Sequence, residues 1–166
     1  LWNAIIKAGE KYDICPYGTE AMHVLRAEKG FIIVGQETDG TVTPIDLGMD
    51  WIISKKKSDF IGKRGLSRSD IVKTDRKQLV GLLTENEMDV LPEGSQIVEY
   101  VNPEPPMAMI GHVTSSYFSP NCERSIAMAL IKSGRQRLGE TVYIPLRNKT
   151  ISAKITHPVF LNEGRM

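Results

Sequence analysis

Only two cysteines, Cys15 and Cys122, occur in 166 residues, too far apart for a CxxC metal or redox pattern. A disulfide-built scaffold is excluded, and reduced thiols in a cytoplasmic setting are expected. The longest apolar runs, "FIIVG" and "SIAMALI", fall far short of the ~20 residues that a membrane-crossing helix requires. No membrane association is expected. An excess of charge is missing too, with 21 Lys and Arg against 20 Asp and Glu, evenly divided on either side of Asp75. Nucleic-acid binders concentrate basic charge on one face or in one domain, so nucleic acid is not an expected partner. The opening "LWNAIIKAGEKYD" has neither an initiator Met nor the build of a signal peptide, and reads as the middle of something longer.

Nucleotide and hydrolase signatures are also missing. No GxGxxG follows a strand, no GxSxG or HExxH occurs, and the Gly-Lys pair of "FIGKRG" lacks the rest of a phosphate loop. His23, His112 and His157 are scattered, with no spacing that converges on a metal, so no metal site is expected and each is read as an ordinary hydrogen-bonded or half-exposed side chain. Lys55, Lys56 and Lys57 read as a solvated basic run.

What is there is ordinary globular composition, 41% hydrophobic and 25% charged, in a chain long enough for one good core or two small ones. Trp2, Ile5 and Ile6 stand at near-helical spacing before Gly9. A second helix is expected from an N-cap at Thr19 to a glycine stop at Gly30, with Ala21, Val24, Leu25 and Glu28 on one face and Glu20, His23 and Ala27 on another. Its carboxylates Glu20 and Glu28, two turns apart, are expected at the surface, and Arg26 in a helix-end salt network. "FIIVG" predicts a buried strand, "DWIIS" a second, and "KKKSDFIGKRGL" a short helix over 59–65 capped by Ser58.

From Lys77 onward the pattern changes to six short apolar or alternating runs: "QLVGLLT", "SQIVEYV", "MAMIGHVTSSYF", "RSIAMALI", "ETVYIPL" and "TISAKITHPVF". Gly- and Pro-bearing stretches separate them, which predicts a small closed antiparallel barrel or a sandwich. The polar stretch "SRSDIVKTDRK" is taken as the boundary between two domains, 1–76 and 77–166.

Three separated stretches, "HVLRAEKGF", "GQETDGTVTPIDLGMDWIISKKKSDFIGKRGL" and "GHVTSSYFSPNCERSIAMALI", resemble the C-terminal half of the glycine-cleavage T-protein (aminomethyltransferase) family. With "PYGTEAMHVLRAEKG" and "DRKQLVGLL", the likeness is to the branch formed by alpha subunits of heterotetrameric sarcosine oxidases. The resemblance implies an α+β fold. Residues 1–76 would be the C-terminal part of a folate-binding aminomethyltransferase-like domain, and residues 77–166 a C-terminal antiparallel β-barrel. The chain would be a fragment, inactive alone.

The implied chemistry is capture, by tetrahydrofolate, of the imine from oxidative demethylation of sarcosine as 5,10-methylenetetrahydrofolate. FAD, FMN and NAD would lie elsewhere in the complex, whose other members would be a flavin-bearing beta subunit and small gamma and delta subunits. A T-protein proper, a dimethylglycine-oxidase-like aminomethyltransferase and a non-catalytic docking module for a flavin subunit stay open as alternatives. Carried over by position, a family arginine that contacts folate falls on Met22, so that contact would be lost or replaced by Glu20, His23 or Arg26. A family aromatic near the pterin or benzoate falls on Phe31, and a tyrosine near the folate tail falls on Leu161. The acidic group thought to activate folate would precede Leu1. "GHVTSSYFSP" matches the barrel signature GxVTSxxxSP, and its Gly111, Thr114, Ser115 and Pro120 suit a tight bend between strands.

Overall fold

The computed structural model describes residues 1–100 and 106–161. The expected turn after residue 101, the end of the expected strand at 95–101 and the stretch 162–166 lie outside the described residues.

Six strands form the C-terminal part: β1 (Lys77–Thr84), β2 (Gln96–Val98), β3 (Met109–Ser119), β4 (Arg124–Lys132), β5 (Thr141–Pro145) and β6 (Thr150–Thr156). They pair in the order β1-β4-β3-β2-β5-β6, and β6 returns to β1, so the sheet closes into a barrel with every pairing antiparallel. Closure answers the barrel-or-sandwich question and gives every strand a neighbour on both sides. Alternation explains the interior. Val80 and Leu82, Ala127, Ala129 and Ile131, Val142 and Ile144, and Ile151, Ala153 and Ile155 all turn inward. Each fully buried aliphatic side chain contributes about 1.5–3 kcal/mol.

β4 is apolar without alternation because both of its faces are covered. Its outward Met128 and Leu130 join Leu79 against Ile32, Val42, Leu47 and Phe160 from the flanking segments. The N-terminal segment therefore lies on the outer face of β1, β4 and β3.

That segment holds α1 (Trp2–Gly9), a 3-10 turn at Glu10–Tyr12, α2 (Thr19–Glu28), a 3-10 turn at Asp50–Ile52 and α3 (Lys63–Leu66). Several expectations fail here. "FIIVG" forms no strand and carries only the isolated bridge Val34 to Thr38, and Val34 is 87% exposed. "DWIIS" is a 3-10 turn with Trp51 exposed rather than a strand. α3 covers Lys63–Leu66 rather than 59–65, and its cap is Gly62, not Ser58. A run of β-branched residues forms a strand only where a partner backbone is available, and the barrel has already closed on itself. α2 starts after Gly18, with Thr19 as its first residue rather than its cap.

Among the described residues of this segment, Ala27 is the only apolar side chain fully buried. The expected apolar face of α2 is only partly covered, with Ala21 and Val24 half-buried and Leu25 46% exposed, and Met22 outside that face is 45% exposed.

A loop at 39–47 is fastened to the barrel by Asp46. Its carboxylate accepts from Arg76 at 2.6 and 2.9 Å and from the Thr43 backbone and hydroxyl at 2.9 and 2.8 Å, while its carbonyl accepts from the Leu79 N–H. Burial works against the charged Asp46, and these hydrogen bonds outweigh it, holding its carboxyl below the usual range.

Beside this loop, His112 borders a cleft of about 170 Å³ shared with Asp39, Asp46, Arg76 and Lys77. Burial, then the charge of Lys77, push the His112 imidazole below its ordinary value, opposed by Asp39. The unfolded chain thus takes up this proton before the folded one does. Stability falls as pH drops below ~6.5 and levels once folded His112 is itself protonated. Urea midpoints measured between about pH 7.5 and 5.5 are expected to fall, with a smaller fall for His112→Gln.

Candidate functional site

The C-terminal end of α2 is where the N-terminal segment meets the barrel. Gly30 sits at φ +71°, its N–H reaching the Ala27 carbonyl at 3.0 Å and the next N–H, of Phe31, reaching Arg26 at 2.8 Å. This is a Schellman stop, so the expected role of Gly30 holds. A side chain at Gly30 would meet the Pro158 carbonyl at 2.6 Å, because residues 158–161 run across the helix end. Phe160 and Leu161 both donate their N–H to the Glu28 carbonyl at 2.9 Å.

Two buried carboxylates then cross the seam. Glu28, 1% exposed, accepts from the Ser119 hydroxyl at 2.6 Å and from the Asn121 amide at 2.9 Å. Glu37, 0% exposed, accepts from the Ser115 hydroxyl, the Ile33 N–H at 2.8 Å and Arg26 at 2.9 Å. The surface position expected for Glu28 is wrong, and so is the expected exposed salt network at Arg26. Arg26 pairs with Glu37, eleven residues on, and is itself 9% exposed.

Arg26 is saturated on both Nη atoms. Nη1 donates to Glu37 and to the Phe31 carbonyl at 3.1 Å; Nη2 donates to Gln36 at 2.8 Å, Ser115 at 2.7 Å and Tyr117 at 3.3 Å. Tyr117 in turn donates to Glu93 at 3.3 Å. His23 lies near the Tyr117 ring, 6.3 Å between centroids.

The signature "GHVTSSYFSP" supplies the barrel's side of the seam, and not as the bend expected of it. It runs through β3, an 11-residue strand, with a bulge between Val113 and Ser115. Val113 pairs with the inward Ala129, whereas Ser115 pairs with the outward Met128. One extra residue reverses which face the following side chains take. Ser115, Tyr117 and Ser119 therefore point at α2 rather than into the barrel. The Thr114 hydroxyl at the bulge donates to the Met128 carbonyl at 3.0 Å. Periodicity read without the bulge places these serines inside, and only their polarity hinted otherwise.

The six residues singled out from the sequence divide into three groups. Arg26 and His23 sit in the seam. Glu20, Met22 and Phe31 are exposed on or just after α2, with Phe31 at 67%. Leu161 stands apart, in a cleft of about 410 Å³ with Asn121, Cys122, Arg124 and Phe160. Among the described residues no group of His, Cys, Asp and Glu could hold a metal ion, and no helix is long and apolar enough to cross a membrane.

A hydroxyl-bearing strand bound to carboxylates of a preceding helix and loop defines a two-part module, and comparison gives it a family. The family model for the glycine cleavage T-protein C-terminal barrel domain matches residues 77–162, and that for the GCVT N-terminal domain matches residues 1–57. The chain belongs to the glycine cleavage T-protein family. Within it, the chain is 48% identical to sarcosine oxidase subunit alpha of Corynebacterium sp. (strain P-1), over 98% of this chain and 17% of that protein. An aminomethyltransferase of Thermoanaerobacter pseudethanolicus is 33% identical, over 99% of this chain and 42% of that protein. The solved aminomethyltransferase T of the Bartonella henselae glycine cleavage system superposes with a TM-score of 0.71 at 26% identity, covering 85% of this chain and 38% of that one. The chain thus spans under half the length of these relatives, and a fifth or less of the sarcosine oxidase subunit.

Proposed function

We propose that this chain is the part of a sarcosine oxidase alpha subunit that borders its tetrahydrofolate site, with the end of the folate-binding domain at 1–76 and the barrel from 77. Its role is to help enclose the place where the imine formed by oxidation of sarcosine is captured as 5,10-methylenetetrahydrofolate. The observation that carries this reading is the 48% identity to sarcosine oxidase subunit alpha along 98% of the chain. The flavin-bearing beta subunit and the small gamma and delta subunits are the proposed partners, and FAD, FMN and NAD belong elsewhere in that complex. The cytoplasm is the proposed location.

The residues present suit a flat heteroaromatic ligand. Phe31 offers an exposed ring, and Met22 and Leu25, three residues apart, share an exposed apolar face of α2. Trp2, Ile5 and Tyr12 of the same segment are exposed as well. So much uncovered apolar surface in one segment fits a wall completed by more polypeptide. Glu20, exposed in the first turn of α2, and His23 are the polar side chains proposed to replace the family arginine at Met22. Leu161 is proposed to lie along the folate tail.

When bound, tetrahydrofolate supplies the nucleophilic nitrogens that accept the one-carbon unit. The chain's own contribution is to bind, orient and exclude water, because an iminium exposed to bulk water hydrolyses. Phe31→Ala in the full-length complex is expected to weaken binding of 5-formyltetrahydrofolate about tenfold, the loss of one aromatic contact, while sarcosine oxidation at the flavin continues at the same rate. Unchanged affinity in an equilibrium titration removes Phe31 from the site.

A further inference from the structure

Phe31 has both backbone groups tied to one residue: its N–H donates to the Arg26 carbonyl at 2.8 Å, and its carbonyl accepts from Arg26 Nη1 at 3.1 Å. Its ring is nevertheless 67% exposed. Phe31 is thus a side chain held out on a backbone tied twice, at its N–H by the helix stop and at its carbonyl by the guanidinium of Arg26. That guanidinium is in turn held by groups from two directions, Glu37 and Gln36 of the following loop and Ser115 and Tyr117 of β3. Ser115 touches both halves of the ion pair, accepting from Arg26 at 2.7 Å and donating to Glu37.

We propose that Arg26 is a positioning residue for the folate site, presenting the Phe31 ring, and that the barrel hydroxyl of Ser115 keeps Arg26 in that role. The proposal rests on the folate reading given above. It assigns to the barrel signature a part in ligand affinity, acting at a distance through the backbone of residue 31. With nine-tenths of its surface buried and both Nη atoms engaged, Arg26 has no Nη donor to spare for a ligand. A hydrogen bond to a charged group that sets a preorganised contact is worth about tenfold in affinity when removed.

The test is a double-mutant cycle in the full-length complex, titrating 5-formyltetrahydrofolate against the native protein, Ser115→Ala, Phe31→Ala and the double variant. Each single change is expected to weaken binding about tenfold, and the double variant no more than about twofold beyond the weaker single, since both act through one contact. Ser115→Thr, which keeps the hydroxyl, restores affinity, and Arg26→Lys, which keeps the charge but loses the fork that reaches Phe31, does not.

Native affinity in Ser115→Ala overturns the proposal, and so do losses that simply multiply in the double variant. If Phe31→Ala weakens binding while Ser115→Ala and Arg26→Lys do not, the folate reading stands and the positioning role falls. If Phe31→Ala leaves affinity unchanged, the reading at that residue falls and the proposal with it.

Discussion

Arg26→Met is expected to cost about 3–5 kcal/mol of folding stability, the largest loss for any single side chain of the N-terminal segment. The change removes the only ionic partner of Glu37 among the described residues, and Glu37 is 0% exposed. A buried carboxylate left with one hydroxyl and one backbone N–H keeps its desolvation cost without the compensating charge. Removing both partners is a different matter, because an apolar pair of similar volume leaves nothing charged to solvate. Arg26→Met with Glu37→Met is therefore expected to be more stable than Arg26→Met alone. Urea denaturation of the three variants checks the order. Equal stability of Arg26→Met and the native chain would mean that the pair is not buried as described.

The second large effect is expected at Gly111→Ala, about 3 kcal/mol or more. A Cβ on Gly111 would collide with the Leu130 carbonyl and come within 2.9 Å of the Ile131 Cα, both backbone atoms of β4 that cannot swing aside. Relief requires prising β3 from β4 just before the bulge, so the serines beyond it would lose their aim. Gly65→Ala is the matched control. Its Cβ would meet nothing within 4 Å and it lies in α3, where alanine is the better helix former. Thermal melts should show a large drop for the first and none for the second. Comparable drops in both would point to a general intolerance of the chain rather than to the β3–β4 contact.

The barrel was legible because its strands satisfy two rules at once, alternation for the inner face and Gly or Pro between runs. β6 shows this plainly, with Ile151, Ala153 and Ile155 inward and Lys154 exposed. The N-terminal segment was not, for a physical reason. "FIIVG" has the composition of a strand, but composition sets a preference and pairing decides it, and its neighbours are a helix end and the outer face of a closed sheet. Local capping signals fared better at one end of α2 than at the other. Gly30 stops the helix through its positive φ, which depends on its own residue type, while the Thr19 cap yields to Gly18 because glycine and threonine serve that position about equally.

The seam itself was hidden by distance in sequence. Glu28 and Ser119 are 91 residues apart, and Ser115 and Glu37 are 78 apart. Nothing in the local pattern of α2 distinguishes a solvated glutamate from one that anchors a barrel. The bulge at Thr114 compounds the difficulty, since one inserted residue reverses the face of every residue that follows. The family resemblance located the signature, but reading its Gly111, Thr114 and Ser115 as turn formers gave it the wrong local geometry.

The central claim is that the end of α2 and the residue 31 loop, clamped to the barrel, form one wall of a folate site. Hydrogen exchange of the full-length complex with and without 5-formyltetrahydrofolate tests it most directly, because amides under a bound ligand open less often. Slower exchange is expected across 19–37 and in 158–161, with no change along β2 and β5 on the other side of the barrel. Saturating ligand that leaves exchange in 19–37 unaltered would contradict the account.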